Sequence, residues 1–332
     1  MDNVVAVSGA TGFIGSAVVR RLLRDGRTVR ALIEPGANEQ NLAAHPGVDR
    51  VHVDVRDYVA MARALDGCSA FYHLAAVYKV WTPDPTQLYA VNIEGTTSAL
   101  LAAKTARVPR IVYTSSIAAV GGLPGGEPSD ETVPFNHFEA ANPYILSKYL
   151  SERVALRFAE SGLPVVVVNP AFPFGPGDLA PTPTGAIILS ILRRQVPGLP
   201  AGGFCAADVD DVAAGHVAAE TRGRIGERYI LGNHNISMRD FVQLVGRIAG
   251  VHTLNVPIPS WMGIGVAAAM EAVSKHVTHS EPLATVKSAK YVLGPAYFNP
   301  AKARAELDLP CTPLEETIER AVRFFRDSGM AP

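Results

Sequence analysis

The chain has 332 residues, of which 48% are hydrophobic and 18% charged; this suits a compact enzyme and excludes a disordered chain. The formal net charge of −1 leaves no global electrostatic case for nucleic acid or an anionic membrane surface. Cys68, Cys205 and Cys311 are few, odd in number and without metal-ligand spacing, so a reducing compartment, the cytoplasm, is expected and no metal site.

The pattern begins with a strand almost at the first residue, at Asn3, where a secretory signal would need a longer apolar stretch. Short β-branched runs follow at Val4–Val7, Val29–Ile33, Val51–Val53, Ala70–Leu74, Ile111–Thr114 and Val165–Val168. Helical stretches alternate with them: Phe13–Arg24, Val59–Leu65, Gln87–Ala106 and Tyr144–Glu160. Such alternation predicts an α/β fold, a Rossmann-type doubly wound parallel sheet covered by helices on both faces. After Asn169 the rhythm breaks. Pro170, Pro173, Gly175, Pro176, Gly177, Pro181 and Pro183 read as a loop leaving the sheet. Helices at Gly185–Gln195, Val212–Thr221, Met238–Ala249 and Pro313–Arg326, with a strand at Arg228–Leu231, complete the chain. The predicted division is a dinucleotide-binding domain over 1–172, to which about 207–232 returns, and a smaller, mostly helical substrate-binding domain over 173–206 and 233–332. No apolar run reaches bilayer length. The nearest, Trp261–Val273, carries Glu271 and reads as a packed or interface helix, ahead of a lid touching lipid or a lipophilic substrate.

Two constellations carry chemistry. Gly9, Gly12 and Gly15 stand at three-residue spacing between the first strand and the first helix. Gly9 permits a tight turn, Gly12 lets a pyrophosphate approach the backbone, and Gly15 lets the helix pack on the sheet; the helix N-terminus favours phosphate. Glu34 ends the second strand nineteen positions beyond Gly15, where a carboxylate commonly bonds adenosine ribose hydroxyls and repels a 2′-phosphate. Arg30 nearby pulls the other way. NAD is therefore the expected cofactor, with NADP left open. The second constellation is Tyr144 and Lys148, four apart on one helix face, after a strand that ends in Thr114-Ser115-Ser116. An ammonium beside a phenol lowers its pKa from about 10, making it usable as an acid or base. Ser116, at the carboxyl end of its strand, lies where open α/β sheets bind ligands. Ser115 and Thr114 read as structural or cofactor-contacting. Asp208, Asp210 and Asp211 read as capping the helix from about Val212, through Asp210 or Asp211, rather than as metal ligands.

These motifs, with Asp54-Val55, His73-Leu74-Ala75-Ala76, Asn92 and Gly95-Thr96, resemble an extended short-chain dehydrogenase/reductase over nearly the whole chain. The segments 76–85 and 169–185 resemble the hopanoid-associated sugar epimerase branch, beside dihydroflavonol 4-reductases and bacterial 3β-hydroxysteroid dehydrogenases. The resemblance implies a catalytic set of Ser116, Tyr144 and Lys148. For the cofactor it implies Gly9, Thr11, Gly12, Phe13, Ile14, Gly15, Glu34, adenine contacts at Asp54 and Val55, a lining at Ala75 and Ala76, and Thr114, Tyr144, Lys148, Pro170 and Phe172. Tyr78, Trp81, Ser116, Phe172 and Phe174 are the expected substrate contacts, and His73 is expected to be a satisfied core residue. Asn92 is expected to support Lys148 through water or to be structural. Flavonol-type reductases usually carry a basic residue where Glu34 stands, which argues for NAD.

The leading functional expectation is an NAD(P)-dependent oxidoreductase interconverting a ketone or aldehyde and an alcohol on a largely apolar small molecule. The alternative is a nucleotide-sugar epimerase or dehydratase using tightly bound NAD, for which Arg193, Arg194 and Arg239 would serve the pyrophosphate. A non-catalytic dinucleotide sensor is disfavoured because Tyr144 and Lys148 are both present. The expected assembly is a homodimer pairing Gln87–Ala106 and Tyr144–Glu160, with Leu88, Val91, Leu100, Leu101 and Ala103 offering apolar surface.

Overall fold

The structure is a computed structural model that describes residues 4–79, 82–196, 198–253, 256–258, 260–274, 286 and 294–332. Its large sheet contains β1 (Val4–Ser8), β2 (Thr28–Ile33), β3 (Asp49–His52), β4 (Ala70–His73), β5 (Ile111–Thr114), β6 (Val165–Pro170) and a late strand, Arg228–Leu231. All pair in parallel, in the order late strand, β6, β5, β4, β1, β2, β3. The strand order reverses between β1 and β4, and ligands of such sheets bind in the crevice outside the carboxyl ends at that point.

The valine runs of β1, β5 and β6 are buried on both faces. Val5, Val7, Val112, Val166 and Val168 pack beneath α1 (Phe13–Arg24), while Ala6, Ile111, Tyr113, Val165 and Val167 pack beneath α2 (Tyr58–Leu65) and the helices that follow. Burial on both sides is why these strands read as continuous apolar runs instead of alternating ones. Each buried valine contributes about 1.5–3 kcal/mol by leaving water. The predicted helix over Gln87–Ala106 is in fact three pieces: α3 (Thr86–Tyr89), a π-helical turn over Ala90–Gly95, and α4 (Thr96–Thr105). Opposite it lies α5 (Pro143–Glu160), with Asn142 accepting the Ile145 N–H as its cap and Pro143 at its first turn.

The proline-rich segment contains order that composition hid. β7 (Phe172–Phe174) leaves the large sheet and pairs with β9 (Gly203–Asp208), after α6 (Pro183–Leu192) and the short strand β8 (Leu199–Pro200). α7 (Val209–Arg222) returns to pack against α1, and β10 (Arg228–Leu231) is the late strand of the large sheet. β11 (His234–Ser237) joins β9 in the small sheet, followed by α8 (Met238–Ala249), β12 (Pro257–Ile258), α9 (Ser260–Val273) and β13 (Pro295–Ala296). α10 (Ala301–Leu307) then packs on α7 and β10, and α11 (Leu314–Asp327) on α8. Phe298, Ala303, Leu307 and Leu309, late in the chain, share an apolar cluster with β1 and β10 of the large sheet.

Two expectations are corrected here. α7 starts at Val209 and its cap is Asp208, which accepts the Asp210 N–H at 2.8 Å and pairs with Arg320; neither Asp210 nor Asp211 caps it. Leu88, Val91, Leu100 and Ala103 are buried in the chain's own core, because the helix turns that face into α2 and α5; Leu101 alone of that group is exposed. Among the described residues, no helix is long and apolar enough to cross a membrane, and no group of three or more His, Cys, Asp or Glu could hold a metal ion.

Candidate active site

A cleft of about 540 Å³ opens at the carboxyl ends of β1, β4, β5 and β6. Its floor is the glycine turn. Gly9 has φ +68°, and a Cβ there would come within 2.8 Å of the Ala75 nitrogen; a Cβ on Gly15 would overlap the Gly9 carbonyl. Gly12 caps α1 without a side-chain hydrogen bond, so the first N–H groups of the helix point to the cleft. Thr11, Phe13 and Ile14 also line it. This cradle has the form that a dinucleotide pyrophosphate requires.

Ser116, Tyr144 and Lys148 line the same cleft from β5 and α5. Ser116 Oγ accepts the Ala118 N–H at 3.1 Å, capping a short 3-10 turn, which leaves its own proton to donate. Lys148 is 4% exposed and donates from Nζ to the Thr114 carbonyl at 2.8 Å. Burial lowers its pKa from 10.5 to about 8, and the Glu152 carboxylate on the same helix opposes that fall. The ammonium also lies 5.4 Å from the centre of the Tyr113 ring. Tyr78 packs its ring against Tyr144 at 4.5 Å between centroids. The side chain of Asn92 holds this wall: its Oδ1 accepts the Val77 N–H, and its Nδ2 donates to the Val77 carbonyl and to Ser147 Oγ. That side chain is thus taken up by Val77 and Ser147.

His73 is a core residue. Its ring bonds Ser8 and Thr96, and burial lowers its pKa to about 3, so it is neutral at physiological pH. The Thr114 hydroxyl faces the buried His216 at 3.0 Å, so that residue meets the site through its carbonyl on Lys148. Ser115 Oγ is buried, lines the cleft and has no hydrogen-bond partner among the described residues, which leaves it free for a ligand.

Several expected contacts lie elsewhere. Phe174 is 2% exposed and packs on Phe204 and Phe241, because β7 carries it into the small-sheet core; it does not line the cleft. Ala76, Pro170 and Phe172 do line it. Glu34, Asp54, Val55 and Ala75 stand outside that lining: Glu34 is exposed, Asp54 binds Arg56, Val55 is buried, and the Ala75 N–H donates to Ser8 Oγ. Arg30 turns to Asp49 at 2.7 Å, and Arg56 binds Asp54. Trp81 falls outside the described residues. Trp261 is 73% exposed, on α9 and away from the cleft lining.

Sequence reasoning missed the second wall. Gly177, Asp178, Leu179, Ala180 and Thr182 also line the cleft. Asn41 ties them to the glycine turn, its Nδ2 donating to the carbonyls of Thr11 and Gly177, both at 3.0 Å. Asp178 is buried and accepts both the N–H and the hydroxyl of Thr182, closing the loop. The Gly-Pro-Gly-Asp run marked a turn but gave no sign of its partner. Asn142, followed by Pro143, was a legible cap signal that also reaches the cleft.

Comparison with known proteins agrees with this geometry. The sequence model of the NAD dependent epimerase/dehydratase family matches residues 5–232. A Synechocystis protein with the provisional name dihydroflavonol 4-reductase is 37% identical over 99% of this chain and 96% of its own. Sterol demethylase protein B of Methylococcus capsulatus is 31% identical over 98% of each. The solved structure of a nucleoside-diphosphate-sugar epimerase from Pseudomonas aeruginosa superposes with a TM-score of 0.83 at 27% identity, covering 100% of each chain. The chain therefore belongs to the NAD-dependent epimerase/dehydratase family, the extended short-chain dehydrogenases/reductases, and is a nicotinamide-dependent enzyme of small-molecule oxidoreduction.

Proposed function

We propose that the protein carries out net redox between a carbonyl and a secondary alcohol on a largely apolar small molecule. The observation that carries this reading is the lining of the cleft. Tyr144 shares the cleft with Tyr78, Ile117, Ile145, Phe172 and Leu179, and among the described lining residues Lys148 is the sole cation. A sugar nucleotide brings a pyrophosphate that needs cationic or amide partners of its own. Arg193 is spent on the Met330 carbonyl, and Arg194 and Arg239 do not line the cleft. Apolar walls with a few polar groups instead bind by burial and orient by hydrogen bonds. The relatives' names, a reductase and a sterol-directed protein, support the same class.

In this reading Tyr144 gives its proton to the substrate carbonyl oxygen, and Ser116 donates a hydrogen bond to the same oxygen as charge grows there. Lys148 remains an ammonium at neutral pH, stabilises the Tyr144 phenolate left behind, and faces the ribose of the cofactor. NAD(H), when bound, supplies the nicotinamide that exchanges hydride with the substrate carbon. The glycine turn holds its pyrophosphate, and Ser115 offers it a hydroxyl. Glu34, Asp54, Val55, Ala75 and Ala76 attend its adenosine half, and Pro170 and Phe172 border its nicotinamide. NAD is preferred over NADP because Glu34 meets a 2′-phosphate with like charge. The protein works in the cytoplasm, as its unpaired cysteines suggest, and as a homodimer across α4 and α5.

The test is a screen of lipophilic ketones and sugar nucleotides followed at the NADH absorbance. The expected result is stoichiometric NADH loss with a lipophilic ketone. Product formed from a UDP- or GDP-sugar without lasting absorbance change would put an epimerase in its place.

A further inference from the structure

Beneath the cleft lies a buried polar chain that the chemistry above does not use. Glu152 sits one helical turn beyond Lys148 on α5 and is 1% exposed. Its Oε2 accepts from Asn169 Nδ2 at 2.6 Å, and its Oε1 accepts from Arg228 at 2.8 Å. The same Asn169 nitrogen donates to the Ser116 carbonyl at 2.8 Å. One carboxylate therefore touches, at one remove, the residue that would bind the substrate oxygen, while standing on the same helix as the ammonium that would serve Tyr144.

The rest of the surroundings limit what else could do this. Lys148 faces Tyr113 from β5 and His73 from β4, and His73 is neutral. Tyr113 itself is occupied, donating to Ser151 Oγ at 2.7 Å, and burial pushes its phenol far from ionisation. Glu152 is thus the negative group that acts on Lys148. On its other side Arg228 is held by the Glu131 carbonyl, and the Glu131 carboxylate accepts the Ile230 N–H. In the pair of Glu152 and Arg228 the carboxylate is buried and the guanidinium partly so, and an ion pair in such a place is weak evidence for stability alone.

We propose that Glu152 is a positioning residue of the reaction: through Asn169 it fixes the Ser116 end of β5, and from α5 it supplies the buried negative charge that keeps Lys148 an ammonium. The inference rests on the catalytic reading of Ser116, Tyr144 and Lys148, but its first test does not require turnover. Glu152→Gln retains an oxygen for Asn169 and removes the charge. The midpoint of Lys148 acylation by acetic anhydride, followed by mass spectrometry across pH in the folded enzyme, is expected to fall by about one pH unit in this variant. The alkaline limb of carbonyl reduction should move down with it. Asn169→Leu leaves the carboxylate in place. It should lower kcat on the order of ten- to a hundredfold with KM and the Lys148 midpoint unchanged, because the carbonyl of Ser116 is no longer held. Glu152→Gln combined with Arg228→Met removes both charges of the pair. A purely structural ion pair would recover activity and pH profile together with Tm; the proposal expects Tm to recover while the Lys148 midpoint stays low. An unmoved midpoint in folded Glu152→Gln overturns the charge role, and full kcat in Asn169→Leu overturns the anchoring role. Failure of the catalytic reading would show differently, as wild-type turnover after loss of the Tyr144 hydroxyl.

Discussion

At the scale of single residues, the proposed chemistry would depend on keeping one amine charged where burial opposes it. Lys148 has a folded pKa of about 8 against 10.5 in the open chain. Because the folded value is depressed, this group's contribution to stability is complete only above the unfolded value and declines as pH falls to about 8. In the proposed mechanism function runs the other way, since Tyr144 would need the ammonium that exists below about pH 8. The value of kcat/KM for carbonyl reduction should therefore fall above a midpoint near pH 8, measured by initial rates across buffers of constant ionic strength. Lys148→Met should abolish turnover and weaken NADH binding, yet leave Tm at pH 7 equal or higher, because it removes a desolvation cost. Tyr144→Phe should lower kcat by roughly a hundredfold to ten-thousandfold, with NADH affinity nearly intact by fluorescence titration. Titration should also show NADH binding more tightly than NADPH; the reverse order would remove the Glu34 argument. Ser116, Tyr144 and Lys148 were legible because each lies on a local pattern, a strand end or a four-residue helical step. Glu152, Asn169 and Arg228 were not, because their contacts join α5, β6 and β10 and leave no spacing in sequence.

At the scale of elements, the glycine turn gives the clearest separation of conformation from contact. Gly15 has ordinary helical geometry, and a Cβ on it would strike the Gly9 carbonyl. Gly26, after α1, has φ +74° and open space around it. Gly26→Ala should cost about 1 kcal/mol in stability and leave NADH binding unchanged, since only the left-handed backbone is strained. Gly15→Ala should weaken NADH binding at least about tenfold, because the helix must move off the phosphate floor. Equal NADH affinity in both variants would contradict that. Phe13–Arg24, Arg228–Leu231 and Met238–Ala249 coincide with their predicted bounds, the two helices through strong amphipathic periodicity and the strand through a short apolar run. β9 was not legible. Gly-Phe-Cys-Ala-Ala-Asp has no β-branched residue, and it is a strand because β7, β11 and β13 pair with it. The π-helical turn of Ala90–Gly95 was hidden for a similar reason: in sequence it continues a helix, and its Asn92 finds Val77 only in the fold.

At the scale of the whole molecule, the outer face of α4 and α5 carries a shallow groove of about 560 Å³ formed by Ile93, Thr97, Leu150, Arg153, Val154, Arg157, Phe158 and Ser161. Leu101 and Leu150 are exposed on these helices. Light scattering at micromolar concentration should give the mass of a homodimer, and Leu150→Glu should shift it to monomer; a monomer in the parent protein would end that proposal. The large sheet and the β9 sheet, meanwhile, are not beads on a string. The chain leaves the large sheet at β7, returns with α7, departs at β11, comes back near Phe298 and leaves again for α11. Within β9, Phe204 and Ala206 face the small-sheet core while Cys205 and Ala207 face the large one. A lobe around the small sheet, stitched in this way, cannot be exchanged as a cassette. A recombination event would need several simultaneous breakpoints, all compatible with the packing on β9, to exchange it with that of a relative.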